Sequence, residues 1–202
     1  MNKTIALDIG NVCLKLRPDL CLGFLGLSSL EEIPPEFMIA VDKMERGFID
    51  QEEWLEVFQK VSENKYSDDE LIHAWNLLIG EEMDGMAELV KEITGKGYRF
   101  VYFSDTSRPH ILHMYRHLSF ANLVSGGIFS YDVGAKKPED GMYEAFEREH
   151  GVPCFYLDDR ENNVEAGKKR GWKSHLFTDA ENFKKEFYAL VETGNKYGKD
   201  NE

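Results

Sequence analysis

The spacing of hydrophobic positions along this chain changes character twice. Residues 3–7 form a short, nearly continuous apolar run that ends at Asp8 and a Gly10-Asn11 turn, the pattern of a buried strand. From about residue 14 to residue 85 the period becomes helical, with little strand character. Trp54, Leu55, Phe58 and Val61 fall on one helical face, as do Leu71, Ile72, Trp75, Leu78 and Ile79. Pro34-Pro35 and the Gly47/Asp50 region divide this stretch into separate helices. Strand and helix then alternate. Met86, Leu89, Val90 and Ile93 line a helix that stops near Gly95 and Gly97, and residues 98–103 read as a strand. Pro109 suits the first turn of a helix to about residue 119, and residues 127–130 read as a short strand. Asp140 is placed to cap a helix through His150. A strand over 154–157, a helix over 162–170, a strand over 173–177 and a helix over 180–193 follow, with a frayed tail over 196–202.

This alternation predicts an α/β fold: a Rossmann-like, mostly parallel sheet with helices on both faces, from residues 1–13 and 86–202. The helical stretch, residues 14–85, is inserted directly after the first strand, where a lid over the sheet edge belongs. Two hundred and two residues suffice for one core and a small accessory unit.

Composition excludes some partners. No apolar run approaches the ~20 residues of a membrane span, and the first residues lack the apolar region of a signal peptide. Cys13, Cys21 and Cys154, odd in number and irregularly spaced, read as reduced thiols of a cytoplasmic protein. A formal net charge of −13 disfavours nucleic acid and anionic membranes, leaving a small molecule as the expected partner of a monomer or weak homodimer.

Four polar clusters follow strand-like segments: Asp8, Ser104-Asp105-Thr106, Lys136-Lys137-Pro138 and Asp158-Asp159. They can meet at one sheet edge. Acidic groups there suit Mg²⁺, a hard cation that takes a few carboxylates and phosphate oxygens. The hydroxyl and an ammonium suit the phosphate oxygens. Asp8 can attack phosphorus to give an aspartyl-phosphate.

The order and chemistry of these clusters resemble the haloacid dehalogenase-like superfamily, in its branch with an inserted four-helix cap. Within that branch the chain is similar to the bacterial α-D-glucose-1-phosphate phosphatases. The resemblance rests on Asp-x-Gly-Asn-Val from Asp8, Ser104-Asp105-Thr106, Lys137-Pro138, Asp158-Asp159 and the segment Glu45-Arg46-Gly47-Phe48-Ile49-Asp50. It implies Asp8 as nucleophile and metal ligand, and the Gly10 carbonyl as a second ligand. It implies Ser104, the Asp105 backbone N–H and Lys137 as phosphate-binding groups. Asp159 becomes the main acidic metal ligand, and Asp158 either a direct ligand or a partner behind one. The implied activity is Mg²⁺-dependent hydrolysis of small phosphorylated metabolites, sugar phosphates first.

The chain departs from the family pattern at two positions. Asn163 stands where many relatives are acidic. Gly10 stands where most phosphatases of the superfamily carry an aspartate that protonates the leaving group. General acid–base help is worth ~10²–10⁴-fold, or roughly 3–5 kcal/mol. Its loss implies a substitute group, a better leaving group such as an anomeric oxygen, or lost turnover. Other chemistry on the same fold (phosphomutase, phosphonatase, dehalogenase) and a regulatory or binding protein are the alternatives. The acid pair argues against a metal-free dehalogenase, and the missing acid against a mutase.

The remaining polar residues have plainer readings. Lys136 reads as a solvated charge. His110, His113 and His117 repeat at helical spacing and read as a solvated helix face. Trp54 and Trp75 read as helix-packing core, and Arg46 and Arg108 as surface ion-pair partners.

Overall fold

A computed structural model of the chain describes residues 2–196. Strand β1 (Thr4–Leu7) leads to β2 (Leu14–Leu16), helices α1 (Pro18–Phe24), α2 (Pro35–Glu45), α3 (Gln51–Val61) and α4 (Asp68–Asn76), and strand β3 (Ile79–Glu82). The alternating part follows: α5 (Met86–Gly95), β4 (Arg99–Ser104), α6 (Arg108–His117), β5 (Val124–Phe129), α7 (Ser130–Val133), α8 (Asp140–His150), β6 (Phe155–Asp158), α9 (Glu161–Lys169), β7 (Ser174–Leu176) and α10 (Ala180–Lys196).

Five of the strands form a parallel sheet in the order β5-β4-β1-β6-β7. The first strand in sequence is therefore central, and whatever follows it lies in the middle of the sheet's C-terminal edge. Successive side chains alternate between two cores. Ile5, Leu7, Phe100, Tyr102, Phe155 and Leu157 pack with α5, α6 and α10, while Ala6, Val101, Phe103 and Tyr156 pack with α8 and Trp172. Burial on both faces explains why these strands read as continuous apolar runs.

The inserted helices have a core of their own. Phe37, Val41 and Met44 of α2, Trp54, Leu55 and Phe58 of α3, and Leu71 and Trp75 of α4 form one buried cluster. Capping boxes start two of these helices: Asp50 with Glu53 at α3, and Ser67 with Glu70 at α4. Gly47, at φ +67°, closes the turn after α2, where a Cβ would lie 2.1 Å from the Tyr131 carbonyl oxygen. Only glycine lets the α2–α3 turn approach α7 so closely.

Several sequence expectations need correction. Residues 14–85 contain an antiparallel pair, β2 with β3, whose strands of three and four residues are too brief to show a period. Ile79, expected on the face of a helix, belongs to β3, because α4 ends at Asn76. The strand expected over 127–130 starts at Val124, and Ser130 opens the unexpected single turn α7. Asp140 does not cap α8. Glu139 holds the cap position without a capping bond, its carboxylate being engaged by Arg46. Of the frayed tail expected over 196–202, all beyond Lys196 lies outside the described residues.

Candidate active site

Asp8 follows β1, Ser104 ends β4, and Asp158 ends β6. Lys137 arrives on the loop between α7 and α8. Asp8, Gly10, Ser104, Asp105, Lys137 and Asp159 line one pocket of about 220 Å³ at the C-terminal edge of the sheet. Open parallel sheets bind ligands there because the strand ends carry side chains outward from a rigid base.

The pocket floor is a buried charge network centred on Lys137. Its Nζ donates to Asp8 Oδ1 at 2.8 Å, to Asp158 Oδ2 at 2.6 Å and to the Phe103 carbonyl at 2.8 Å. All three ammonium protons are thereby used. The Lys137 backbone N–H donates to Asp105 Oδ1 at 2.9 Å, so the Asp105 side chain positions the lysine. Asp158 is fully buried and accepts four hydrogen bonds: from Lys137 Nζ, the Tyr156 hydroxyl, the Arg160 N–H and Asn163 Nδ2. Burial disfavours charge on Lys137, yet Asp158 and Asp8 outweigh it and hold the ammonium well above its ordinary range. Burial likewise opposes charge on Asp158, where Lys137 prevails and keeps the carboxyl low. At Asp8 burial dominates and pushes the carboxyl up to about 7, Lys137 pulling down and Asp158 adding to the rise.

One carboxylate oxygen from each of Asp8, Asp158 and Asp159 lies within 4.8 Å of the others. The four acceptor sites of Asp158 are already taken, which suits a partner behind the ligands better than a ligand. Asp159 is half-buried and accepts one bond, from Asn11 Nδ2 at 3.0 Å. Among the described residues the Gly10 carbonyl accepts no hydrogen bond, and the buried Asn163 Oδ1 has no partner. Asp8, Asp159, Gly10 and Asn163 line the same pocket, so two carboxylates, a free carbonyl and an unpartnered amide oxygen are the hard-oxygen groups available there to a small divalent cation.

Ser104 is buried, and its hydroxyl makes only a 3.5 Å contact with the Asp105 carbonyl. The following turn is tied to α7: the Thr106 N–H donates to Ser130 Oγ at 2.9 Å, and that hydroxyl donates back to the Thr106 carbonyl at 3.0 Å. Cys13 donates its S–H to the Asp8 carbonyl, and burial pushes its thiol well above the ordinary range. All three cysteines are free thiols.

Two sequence readings fail here. Lys136 is not a solvated charge. It pairs with Glu45 at 2.6 Å and Asp42 at 3.4 Å, both from α2. His110 is not on a solvated face. It is buried, stacked on Trp75 at a centroid distance of 4.5 Å, with Nε2 3.0 Å from the Trp75 carbonyl, and it lines the pocket. Arg46 and Arg108 are ion-paired as expected, but Arg46 reaches across to Glu139 with a two-pronged contact of 2.6 and 2.9 Å. Sequence reasoning missed Asn11, Glu45 and Tyr156 as pocket or network members. A visible signal existed only for Asn11, a residue type that tolerates the left-handed φ of 53° adopted there.

A family model described as haloacid dehalogenase-like hydrolase matches residues 3–171. No curated protein matches the sequence. Among solved structures, a HAD family enzyme of Bacteroides thetaiotaomicron, crystallised with magnesium and inorganic phosphate, superposes with TM-score 0.77. It is 20% identical, over 89% of this chain and 96% of that one. A HAD-like family hydrolase of Porphyromonas gingivalis gives TM-score 0.76 at 18% identity, over 95% and 98%. The magnesium-bound HAD-hydrolase YfnB of Bacillus subtilis gives 0.58 at 14% identity, over 87% and 86%.

Proposed function

This chain belongs to the haloacid dehalogenase-like hydrolase family, and from that premise we propose that it is a Mg²⁺-dependent phosphomonoesterase acting through Asp8. The observation that carries this reading is the geometry around Asp8. Lys137 holds one carboxylate oxygen at 2.8 Å, while Asp8 lines a pocket that also presents a hydroxyl at the end of β4 and a set of metal-binding oxygens.

In this reading Asp8, Asp159 and the Gly10 carbonyl hold Mg²⁺, and Asp158 orients Lys137 and Asn163 behind them. Bound there, the ion neutralises phosphate charge and aligns the phosphoryl group. Ser104 and the Asp105 N–H bind the phosphate oxygens, and Lys137, its three protons held by Asp8, Asp158 and the Phe103 carbonyl, adds its positive charge beside them. The second carboxylate oxygen of Asp8 attacks phosphorus, the bond to the ester oxygen breaks, and that oxygen leaves with the electron pair. Water then attacks phosphorus, breaks its bond to Asp8 and releases inorganic phosphate. The magnesium and phosphate bound by the Bacteroides thetaiotaomicron enzyme support the same ligands here.

Residues 14–85 act as a cap over the rest of the described chain, residues 2–13 and 86–196. The ion pairs Arg46–Glu139 and Lys136–Glu45 tie α2 to the core loop that carries Lys137. The substrates are small phosphorylated metabolites, with sugar phosphates the group indicated by the sequence resemblance. The test is phosphate release from a panel of sugar 1- and 6-phosphates and aryl phosphates, with Mg²⁺ or with EDTA, using Asp8→Asn as control. Metal-dependent release that vanishes in Asp8→Asn supports the reading. No release from any ester, or full activity in Asp8→Asn, refutes it.

A further inference from the structure

Beside the catalytic pocket lies a second, larger cavity of about 570 Å³, open to solvent and lined by α1–α4, the segment joining α1 to α2, and Leu78, Lys136 and Arg160. Its volume matches that of sites for whole organic ligands, roughly 300–1,000 Å³. Leu22, Leu25, Ile33, Phe37, Val41 and Tyr66 supply much of its wall. The two cavities share Glu45, Trp75, Leu78, Lys136 and Arg160. A ligand anchored by its phosphate at Asp8 therefore lies against residues that also border the apolar space, with the Lys136–Glu45 ion pair between the two.

The catalytic pocket adds an independent constraint. Its carboxylates already accept hydrogen bonds from N–H donors: Asp8 from Lys137 Nζ, Asp105 from the Lys137 N–H, Asp159 from Asn11 and Glu45 from Lys136. His110 points Nε2 at a carbonyl, which only accepts, so that nitrogen carries its proton and spends it there. Burial lowers the His110 imidazole to about 4, so the ring is neutral near pH 7. Lys136 is held between Glu45 and Asp42, and the Arg160 guanidinium does not give up a proton. Among the described residues, the His110 and lysine protons of the pocket wall are thus already engaged, and position 10, two residues after Asp8, has no side chain to act as an acid.

Resting on the phosphomonoesterase reading, and in place of the sugar phosphates that the sequence resemblance indicates, we propose that the substrate is an aryl phosphate, its phosphate at Asp8 and its arene in the apolar chamber. A phenolic oxygen leaves as a stable phenolate without a proton from the enzyme. Asp8 attacks phosphorus, the phosphorus–aryl oxygen bond breaks, and the phenolate carries off the electron pair. Water hydrolyses the aspartyl-phosphate, and the proton lost by that water is balanced by the one the phenolate takes from solvent. The net change is aryl phosphate plus water to phenol plus inorganic phosphate. A sugar in the chamber would instead set several hydroxyls against Leu, Ile and Phe side chains, its polar partners being limited to residues such as Glu32, Asp42, Ser62, Lys65 and Tyr66.

Four probes separate the two constraints: 2-naphthyl phosphate, phenyl phosphate, decyl phosphate and α-D-glucose 1-phosphate. The expected KM for 2-naphthyl phosphate is about tenfold or more below that for phenyl phosphate, from the added apolar burial. The kcat for decyl phosphate, which leaves as an alkoxide, is about 100-fold or more below that for 2-naphthyl phosphate. Met38→Glu, at the half-exposed mouth, and Leu25→Glu, on the wall, raise KM for 2-naphthyl phosphate about fivefold more than for phenyl phosphate. Equal kcat/KM for glucose 1-phosphate and 2-naphthyl phosphate, or variants that affect both aryl esters alike, overturns the proposal and leaves the phosphatase reading standing. If no ester is hydrolysed, that reading fails and binding decides. Trp75 borders both cavities, so 2-naphthyl phosphate quenches tryptophan fluorescence saturably, and more weakly in Leu25→Glu. Absence of saturable quenching overturns the proposal.

Discussion

Gly10 has an ordinary backbone conformation, so its lack of a side chain does not reflect a need for left-handed φ. What a Cβ there meets is the flexible end of Leu16, at 3.0 Å from Cδ1. Gly10→Asp should therefore fold, at a cost of about 1 kcal/mol in urea titration. With an acid restored beside Asp8, phosphate release from decyl phosphate should rise by about tenfold or more. The acid pair separates in the same way. Asp158→Asn removes a partner from a buried ion network and should destabilise by roughly 3 kcal/mol, as measured in urea. Asp159→Asn should cost under about 1 kcal/mol, because the side chain is half-buried, and should instead weaken Mg²⁺ binding by more than about tenfold in calorimetry. His110 carries a pH dependence of stability. Its folded value, about 4, lies below the ordinary 6.5. As pH falls through 6.5 the unfolded chain takes up the proton first. Stability is thus fully present above 6.5 and declines towards pH 4 by about 1.4 kcal/mol per unit, roughly 3 kcal/mol in all. The difference between wild type and His110→Phe in urea titrations from pH 7 to 4.5 reads this directly.

The helical elements that were legible in sequence share a feature: enough length to show a period, and local start signals. The helix α5 carries Met86, Leu89, Val90 and Ile93 on its buried face, and Pro109 stands in the first turn of α6, as their spacing and chemistry imply. The cap residues Asp50 and Ser67 act within three residues of themselves. Asp50→Ala and Ser67→Ala should each lower stability by about 1 kcal/mol, seen as a reduced Tm. What sequence did not reveal was short or paired at a distance. The strands β2 and β3 are too brief for a period and find each other only across the four intervening helices, and α7 is a single turn. Asp140 shows how a local signal can be overridden. Its neighbour Glu139 holds the cap position and is taken by Arg46, a residue far away in the chain.

Across the whole molecule, among the described residues, the helical insertion and the sheet have separate apolar cores joined by ion pairs and by the Trp75–His110 stack. Arg46 binds Glu139 and Asp42, and Lys136 binds Glu45 and Asp42. Partly exposed pairs of this kind contribute about 0–1 kcal/mol each to stability. Their larger effect is positional, since Glu45 and Lys136 border both cavities. Arg46→Ala should change Tm by only a few degrees while raising KM several-fold for 2-naphthyl phosphate, a split that steady-state kinetics and thermal melts resolve.

Sequence alone determined the parallel α/β frame and the strand-end positions of Asp8, Ser104 and Asp158, because period and strand termini are local properties of the chain. Its resemblance to the haloacid dehalogenase-like family also marked Gly10 as a position where most phosphatases of that family carry an acid. Tertiary structure decided how those groups are used. Asp158 turns inward and spends its acceptors on Lys137, Tyr156, Arg160 and Asn163. His110 is drawn under Trp75, and Lys136 onto α2. The apolar chamber beside the Asp8 pocket exists only once α1–α4 have packed around it. A buried polar group takes whichever partner the fold brings within reach, and a cavity belongs to several elements at once, so neither is written in any one stretch of residues.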